Sequence, residues 1–262
     1  MNPLLRAWAD GHYTLGIWMT SDSPAVAEVV GGLGYDYVNI DMQHGFADSG
    51  DLVAMLRALD GLGGGSTVTC RVPWNEPGII GRVLDAGVMG VIIPMVNTAE
   101  QAERAVAACR YAPEGARSYG PIRASRVRGA DYFRSANQQV ACIPMIETVE
   151  ALHNLDAILD VPGIDAVYVG PADLSLTLGL PPRGDHDDES FNQALATIVA
   201  ACDQRGIVPG IHANPAIVAK RREQGFRMVT ATSDLQALES GAAGALAPWR
   251  DDRPKPDEPS GY

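Results

Sequence analysis

The chain has 262 residues, 46 % apolar, 20 % charged and 6 % aromatic, a profile that excludes disorder, a collagen helix and a small disulfide-stapled fold. Its formal net charge of −12, from 32 Asp and Glu against 20 Lys and Arg, repels phosphate backbones and anionic surfaces, so neither nucleic acid nor a membrane is an expected partner. The N-terminus MNPLLRAWADGHYTLG has no apolar leader core, and no stretch approaches the roughly 18 apolar residues of a membrane span.

Along the chain, short apolar and β-branched runs alternate with longer segments of helical period, as when parallel strands are covered on both faces by crossover helices. Strands are expected at 14–20, 37–44, 67–73, 90–96, 140–148, 165–170, 208–213 and 227–232. Helices are expected at 23–33, 49–59, 76–86, 98–110, 149–159, 189–205, 215–224 and 234–246. Ser23-Pro24 and Asn214-Pro215 supply helix starts, a polar cap followed by an early proline. This count predicts an α/β fold, a (β/α)8 barrel forming a single domain over 1–250. A doubly wound open sheet usually has fewer strands and carries a Gly-rich fingerprint after the first one, where this chain has TSDSPA.

Three stretches fall outside that rhythm. The GLGGGS run from Gly61 precedes a strand instead of following one, so it reads as a flexible turn and not as a phosphate loop. The segment 111–139 carries Arg117, Arg123, Arg126, Arg128 and Arg134 against only Glu114 and Asp131, a basic island that is either a solvated loop with a short helix or an anion-binding or subunit-contact segment. The tail 251–262, DDRPKPDEPSGY, is polar and proline-rich and is expected to be mobile. Cys70, Cys109, Cys142 and Cys202 have no metal or redox spacing and read as reduced core residues of a cytoplasmic protein.

Barrel chemistry sits at the C-terminal ends of the strands, where this chain places Trp18 and Ser21, Asp41 and His44, Arg71, Glu147, Asp173 and His212. Glu147 and Asp173 end consecutive strands, and like charges in one space demand a counter-ion. Two carboxylates, with other positions left to water and substrate, suit octahedral Mg2+ or Mn2+ better than zinc; the plainer reading is a solvated pair at the rim. His44 has the side chain suited to moving protons near neutrality. Arg71 offers a fork of donors to a carboxylate or an enolate oxygen, or else an ion-pair partner for Glu147 or Asp41. His212 is a second acid/base group or a structural one. The lysines are Lys220, on a helix, and Lys255, in the tail, so imine chemistry on a buried strand lysine is excluded. A metal, a histidine and an arginine instead suit the polarisation of a 2-oxo acid and the stabilisation of its enolate.

Several motifs together carry a family resemblance: GYDYVNIDMQHG at 34–45, RVPWNEPG at 71–78, LDAGVMGVIIPMV at 84–96, RYAPEGARSYGP at 110–121, MIET at 145–148 and GIDAVYVGPADLS at 163–175. From about Gly16 to Gly241 the chain resembles the HpcH/HpaI family of metal-dependent (class II) pyruvate aldolases. The resemblance implies a TIM barrel of the phosphoenolpyruvate/pyruvate type and a reversible aldol reaction between pyruvate, or a close 2-oxo acid such as hydroxypyruvate, and an aldehyde. By the same resemblance His44 is the base, Arg71 stabilises the enolate, and Glu147 and Asp173 hold Mg2+, Mn2+ or Co2+. The backbone of Gly170, Pro171, Ala172 and Asp173 holds the substrate carboxylate. Asp85 matches the aspartate that tunes the histidine, which from the end of a helix it could reach only from a partner subunit; a hexamer is implied. Gln43 and Met145 replace the family's usual Glu and Gln. Oxaloacetate decarboxylation, acyl-CoA cleavage and non-catalytic binding of a 2-oxo acid are the alternatives.

Overall fold

A computed structural model describes residues 1–61 and 65–249; the expected mobile tail over 251–262 and the centre of the GLGGGS turn lie outside the described residues. In chain order the elements are α1 (Pro3–Ala9), β1 (Thr14–Met19), α2 (Pro24–Gly31), β2 (Tyr37–Asp41), α3 (Ser49–Gly61), β3 (Thr67–Arg71) and α4 (Pro77–Ala86). There follow β4 (Gly90–Ile93), α5 (Ala99–Cys109), α6 (Ile122–Arg128), α7 (Tyr132–Gln139), β5 (Ala141–Ile146), α8 (Val149–His153) and α9 (Leu155–Leu159). The last are β6 (Ala166–Val169), α10 (Pro171–Thr177), α11 (Glu189–Asp203), β7 (Val208–His212), α12 (Val218–Glu223), β8 (Met228–Ser233) and α13 (Asp234–Leu246). Each strand pairs in parallel with the next, and β8 returns to β1, so the sheet closes into a barrel. All eight expected strands are present among the described residues. Most end earlier than expected, because the polar residues at the mouth leave the ladder to make other bonds.

Four helices lie outside the eight expected, although a short helix was one reading of the basic island. In α1 the signal is two residues in one short turn: Leu4 and Trp8 enter the base of the barrel among its interior side chains. Asn2 caps this helix through Leu4 N–H, and its amide donates to the carbonyls of Met89 and Gln139 at 2.9 and 2.8 Å. The helices α6 and α7 occupy the basic island. Three of its five arginines bond back onto the barrel: Arg117 lies buried over the ring of Tyr111 and pairs with Asp85, Arg123 reaches Asp60 and the Ala86 carbonyl, and Arg128 reaches the Gly87 carbonyl, while Arg126 and Arg134 stay exposed. That replaces the solvated-loop expectation with a clamp on the ends of α3 and α4. The fourth, α10, begins at the Gly-Pro of a motif read as loop, with Pro171 preset for a first helical turn. The expected helix over 149–159 is instead α8 and α9, meeting at Asn154, whose amide turns away to the Asn97 carbonyl.

The barrel interior is filled by Trp18, Tyr37, Ile92, Ile143, Tyr168 and Met228 among others, and the outer strand faces pack against the helices. The hydroxyls of Tyr37 and Tyr168 both meet Thr230 Oγ1, at 2.9 and 2.5 Å, so these buried polar atoms satisfy one another. The four cysteines are buried and free, as expected of reduced core residues. No helix among the described residues is long and apolar enough to cross a membrane. After Asp234 the whole of α13 is exposed, and with α2 it frames an apolar groove lined by Ile17, Val29, Leu33 and Leu238.

Candidate active site

A cavity of about 280 Å³ opens at the C-terminal mouth, lined by Trp18, His44, Arg71, Met145, Tyr168, Gly170 to Asp173, Pro182 to Gly184, and His212. Its central feature is Asp41, buried just behind the wall. One carboxylate oxygen accepts from Arg71 Nε at 2.8 Å; the other accepts from Arg71 Nη2 at 2.6 Å and from Trp18 Nε1 at 3.1 Å. Burial opposes the charge on Asp41, but the arginine, the indole and the Gln43 N–H outweigh it and hold the carboxyl below its ordinary range. The same carboxylate accepts the backbone N–H groups of Gln43 and His44, so it also folds the turn that carries the histidine. Gly45 completes that turn where a Cβ would collide with the Asp41 and Thr20 carbonyls. Arg71 is thereby presented edge-fixed, with its remaining face over the Trp18 ring at 5.0 Å and open to the cavity.

Glu147 follows β5 and is 2 % exposed. Its Oε1 accepts from Met95 N–H at 2.7 Å, and Met95 adopts φ 55, a left-handed conformation that costs about 1 kcal/mol in a non-glycine residue. Gly170 packs against the Glu147 carboxylate, a contact no side chain would allow. Burial chiefly, and the nearby charge of Asp173, push the Glu147 carboxyl up to about 7, despite the Met95 hydrogen bond and the Arg71 charge. Two carboxylates therefore meet with the nearest cation already committed to Asp41. That is an arrangement a divalent ion would complete. Among the described residues no group of three or more His, Cys, Asp and Glu side chains assembles.

The other expected residues divide. His212 lines the cavity edge-on to Trp18, ring centroids 5.1 Å apart, and burial with the Arg71 charge pushes its imidazole down to about 4. Both effects favour the neutral imidazole. Ser21 is not at the cavity: its hydroxyl donates to Asp234 and ties β1 to the start of α13. Asp85 is likewise elsewhere, at the C-terminal end of α4, where Arg117 Nη2 holds it at 2.7 Å. Helices run back down the barrel, so this end lies away from the mouth, and one chain does not bring Asp85 to His44.

The family model for HpcH/HpaI aldolase/citrate lyase matches residues 14–240. The chain belongs to this family. A hydroxypyruvate/pyruvate aldolase of Rhizorhabdus wittichii is 39 % identical over 251 residues, covering 95 % of this chain and 99 % of the relative. A 4-hydroxy-2-oxovalerate aldolase of Novosphingobium aromaticivorans is 38 % identical over 254 residues, 96 % of this chain and 95 % of the relative. The crystal structure of an HpcH/HpaI aldolase/citrate lyase family protein from Burkholderia cenocepacia J2315 superposes with a TM-score of 0.89 at 33 % identity, covering 95 % of this chain and all of that one. The chain is accordingly an enzyme, an aldolase of the carbon–carbon lyase class.

Set in this HpcH/HpaI barrel, two parts of the site escaped the residue-by-residue reading. Tyr168 and Met145 point inward from strands whose apolar runs hid their access to the mouth. The stretch Pro182–Arg183–Gly184 follows α10, and its signal was topological: 171–188 connects a strand to the next helix, and such loops gather over the catalytic face.

Proposed function

We propose that this HpcH/HpaI enzyme carries out reversible aldol cleavage and condensation between pyruvate or hydroxypyruvate and an aldehyde. The observation that carries this reading is the meeting, on one cavity, of His44, the open face of Arg71 and Asp173, with the buried Glu147 carboxylate close enough to Asp173 to feel its charge. Glu147 and Asp173 would hold a divalent ion, Mg2+, Mn2+ or Co2+, and that ion, when bound, supplies Lewis-acid polarisation of the 2-oxo acid. The backbone from Gly170 to Asp173 lies where it can carry the substrate carboxylate. His44 takes a proton from C3 of the 2-oxo acid, directly or through one water. Arg71, locked on Asp41, donates toward the developing enolate oxygen without reorganising. Carbon C3 then attacks the aldehyde carbon, and the new alkoxide takes up a proton; cleavage reverses these steps.

Acyl-CoA cleavage would call for a basic surface near the site, for which Arg123 or Arg126 are the candidates; Arg123 is bonded to Asp60 and lines a different cavity, which leaves Arg126 alone in that role. We further place the enzyme in the cytoplasm, from its buried free cysteines, and as a homo-oligomer, a hexamer by resemblance. The exposed length of α13 and the adjoining apolar groove favour a second copy of the chain as the covering partner. A role for Asp85 on His44 would then be exercised across the subunit boundary.

The test is exchange of pyruvate methyl protons with D2O, followed by NMR, in metal-stripped protein with and without added Mg2+, Mn2+ or Co2+. Exchange that requires metal and disappears in His44→Ala is the expected result. A folded, metallated enzyme that exchanges nothing would remove pyruvate as donor.

A further inference from the structure

The cavity holds a second arginine that the reaction scheme leaves unused. Arg183 lines the mouth, on the loop between α10 and α11, with Asp173 and His44 on the same cavity. Arg71 is neutralised by Asp41 at 2.6 Å, whereas Arg183 makes no ion pair and no side-chain hydrogen bond among the described residues. On a chain of net charge −12, an unneutralised cation at the entrance is a local reversal of the field.

Its backbone is held unusually firmly for a loop. The Arg183 carbonyl accepts from Ser175 Oγ at 3.3 Å, and the Gly184 carbonyl accepts from Arg221 Nη2 at 2.7 Å. Asp185 then takes Lys220 Nζ at 2.7 Å and Arg221 Nη2 at 2.7 Å. Arg221 is fully buried, so a charged side chain has been taken out of water with Asp185 as its partner carboxylate. Breaking such a pair is costly, and the residues on either side of the latch are Arg183 and the helix α12. The prolines at 181 and 182 stiffen the approach from the other side. The loop is fixed at the two residues that follow Arg183, so the side chain that lines the mouth and has no partner among the described residues stands on a held backbone.

We propose that Arg183 selects the acceptor, favouring aldehydes that carry a carboxylate a few carbons from the carbonyl, and that Asp185 is the positioning residue that holds it there. A carboxylate matches one guanidinium fork, whereas a phosphate dianion would call for further cations, and the residues that follow in sequence add acids instead, at Asp187 and Asp188. This inference rests on the aldolase reading of the site.

The test compares kcat/KM for 4-oxobutanoate and butanal, acceptors of equal chain length, with pyruvate as donor. In Arg183→Ala the ratio of the two falls about tenfold, through KM for the anionic aldehyde, and Arg183→Lys restores part of it. Asp185→Asn lowers the same ratio less, and raises its sensitivity to salt. Pyruvate proton exchange is recorded on each preparation. Normal exchange with an unchanged ratio in Arg183→Ala overturns the selection role while the aldolase reading stands. A ratio that falls in Arg183→Ala but not in Asp185→Asn overturns the positioning role alone. No exchange in the parent enzyme overturns both readings.

Discussion

Two Asp–Arg pairs of almost equal length stand at opposite ends of this barrel and face the solvent with opposite charges. At the mouth, Arg71 and Asp41 approach to 2.6 Å, and the acid is the hidden partner, its side chain 4 % exposed against 12 % for the arginine. At the base, Arg117 and Asp85 approach to 2.7 Å, and the arginine is the hidden one, 0 % exposed against 29 % for the acid. The surroundings explain the reversal. Asp41 is wrapped by an indole and by backbone N–H groups, which stabilise a carboxylate, whereas Arg117 lies between the rings of Tyr111 and Tyr132, whose faces stabilise a guanidinium. One pair therefore offers a cation to a bound molecule and the other offers a carboxylate. The same two residue types leave an arginine facing a cavity in one place and make a structural clamp in the other.

The largest effect expected is in Arg71→Ala. Proton exchange on the 2-oxo acid should fall by about 10³-fold, since a preorganised donor is lost, and urea unfolding should show a loss of about 3–5 kcal/mol from the stranded Asp41. Arg117→Ala should cost stability as well but reduce turnover less than Arg71→Ala; an equal or greater loss of turnover would mean that the base pair serves the chemistry too. Next is the pH response of the metal-free protein. The folded-state pKa of Glu147 is raised to about 7, so the folded form binds the extra proton and stability falls as pH climbs from about 4.5 to about 7, by on the order of 3 kcal/mol. His212, with its folded pKa lowered to about 4, slopes the other way. The measurement is therefore the difference in thermal melts between the parent and Glu147→Gln, which should narrow or reverse with rising pH; a difference that does not change with pH would mean that Glu147 is ionised as freely as in water.

A smaller effect is expected from Thr230→Val, which strands the hydroxyls of Tyr37 and Tyr168 in the barrel interior. About 2 kcal/mol of stability should be lost in urea titration, with little change in cleavage rate per folded molecule. The smallest comes from Arg134→Ala. That arginine pairs with Asp131 in open solvent, so its melting temperature should not move, although it belongs to the same basic island as Arg117.

The strand positions and the identity of the mouth residues were legible because they depend on local rules. A β-branched apolar run must be a buried strand, and a polar residue at its end must leave the ladder where the chemistry sits. Asp41, His44, Arg71 and Glu147 follow from that. Arg117 and Arg221 did not, since nothing in a run of arginines says which one will be buried. The two tyrosine rings from 111 and 132, and the acid at 185 thirty-six positions before its partner, come together only through the packing of the connections between strands. The helix α10 was missed, and the short helix of the basic island could not be given bounds, because α10 and α6 are each seven residues long, too short for a periodic signal.

Order and type of residues alone thus account for the strand count, the closure of the barrel and the family. They also account for most of the groups at the mouth, because these follow from periodicity and from where a strand must end. Packing decided which charges are spent and which remain available. Arg71 and Arg117 are satisfied by carboxylates and Arg221 by a buried latch, while Arg183 is left over at the entrance. Whether a charge is free is a property of its partners, and those are brought within about 3 Å only by the pairing of neighbouring strands and the packing of the connections between them.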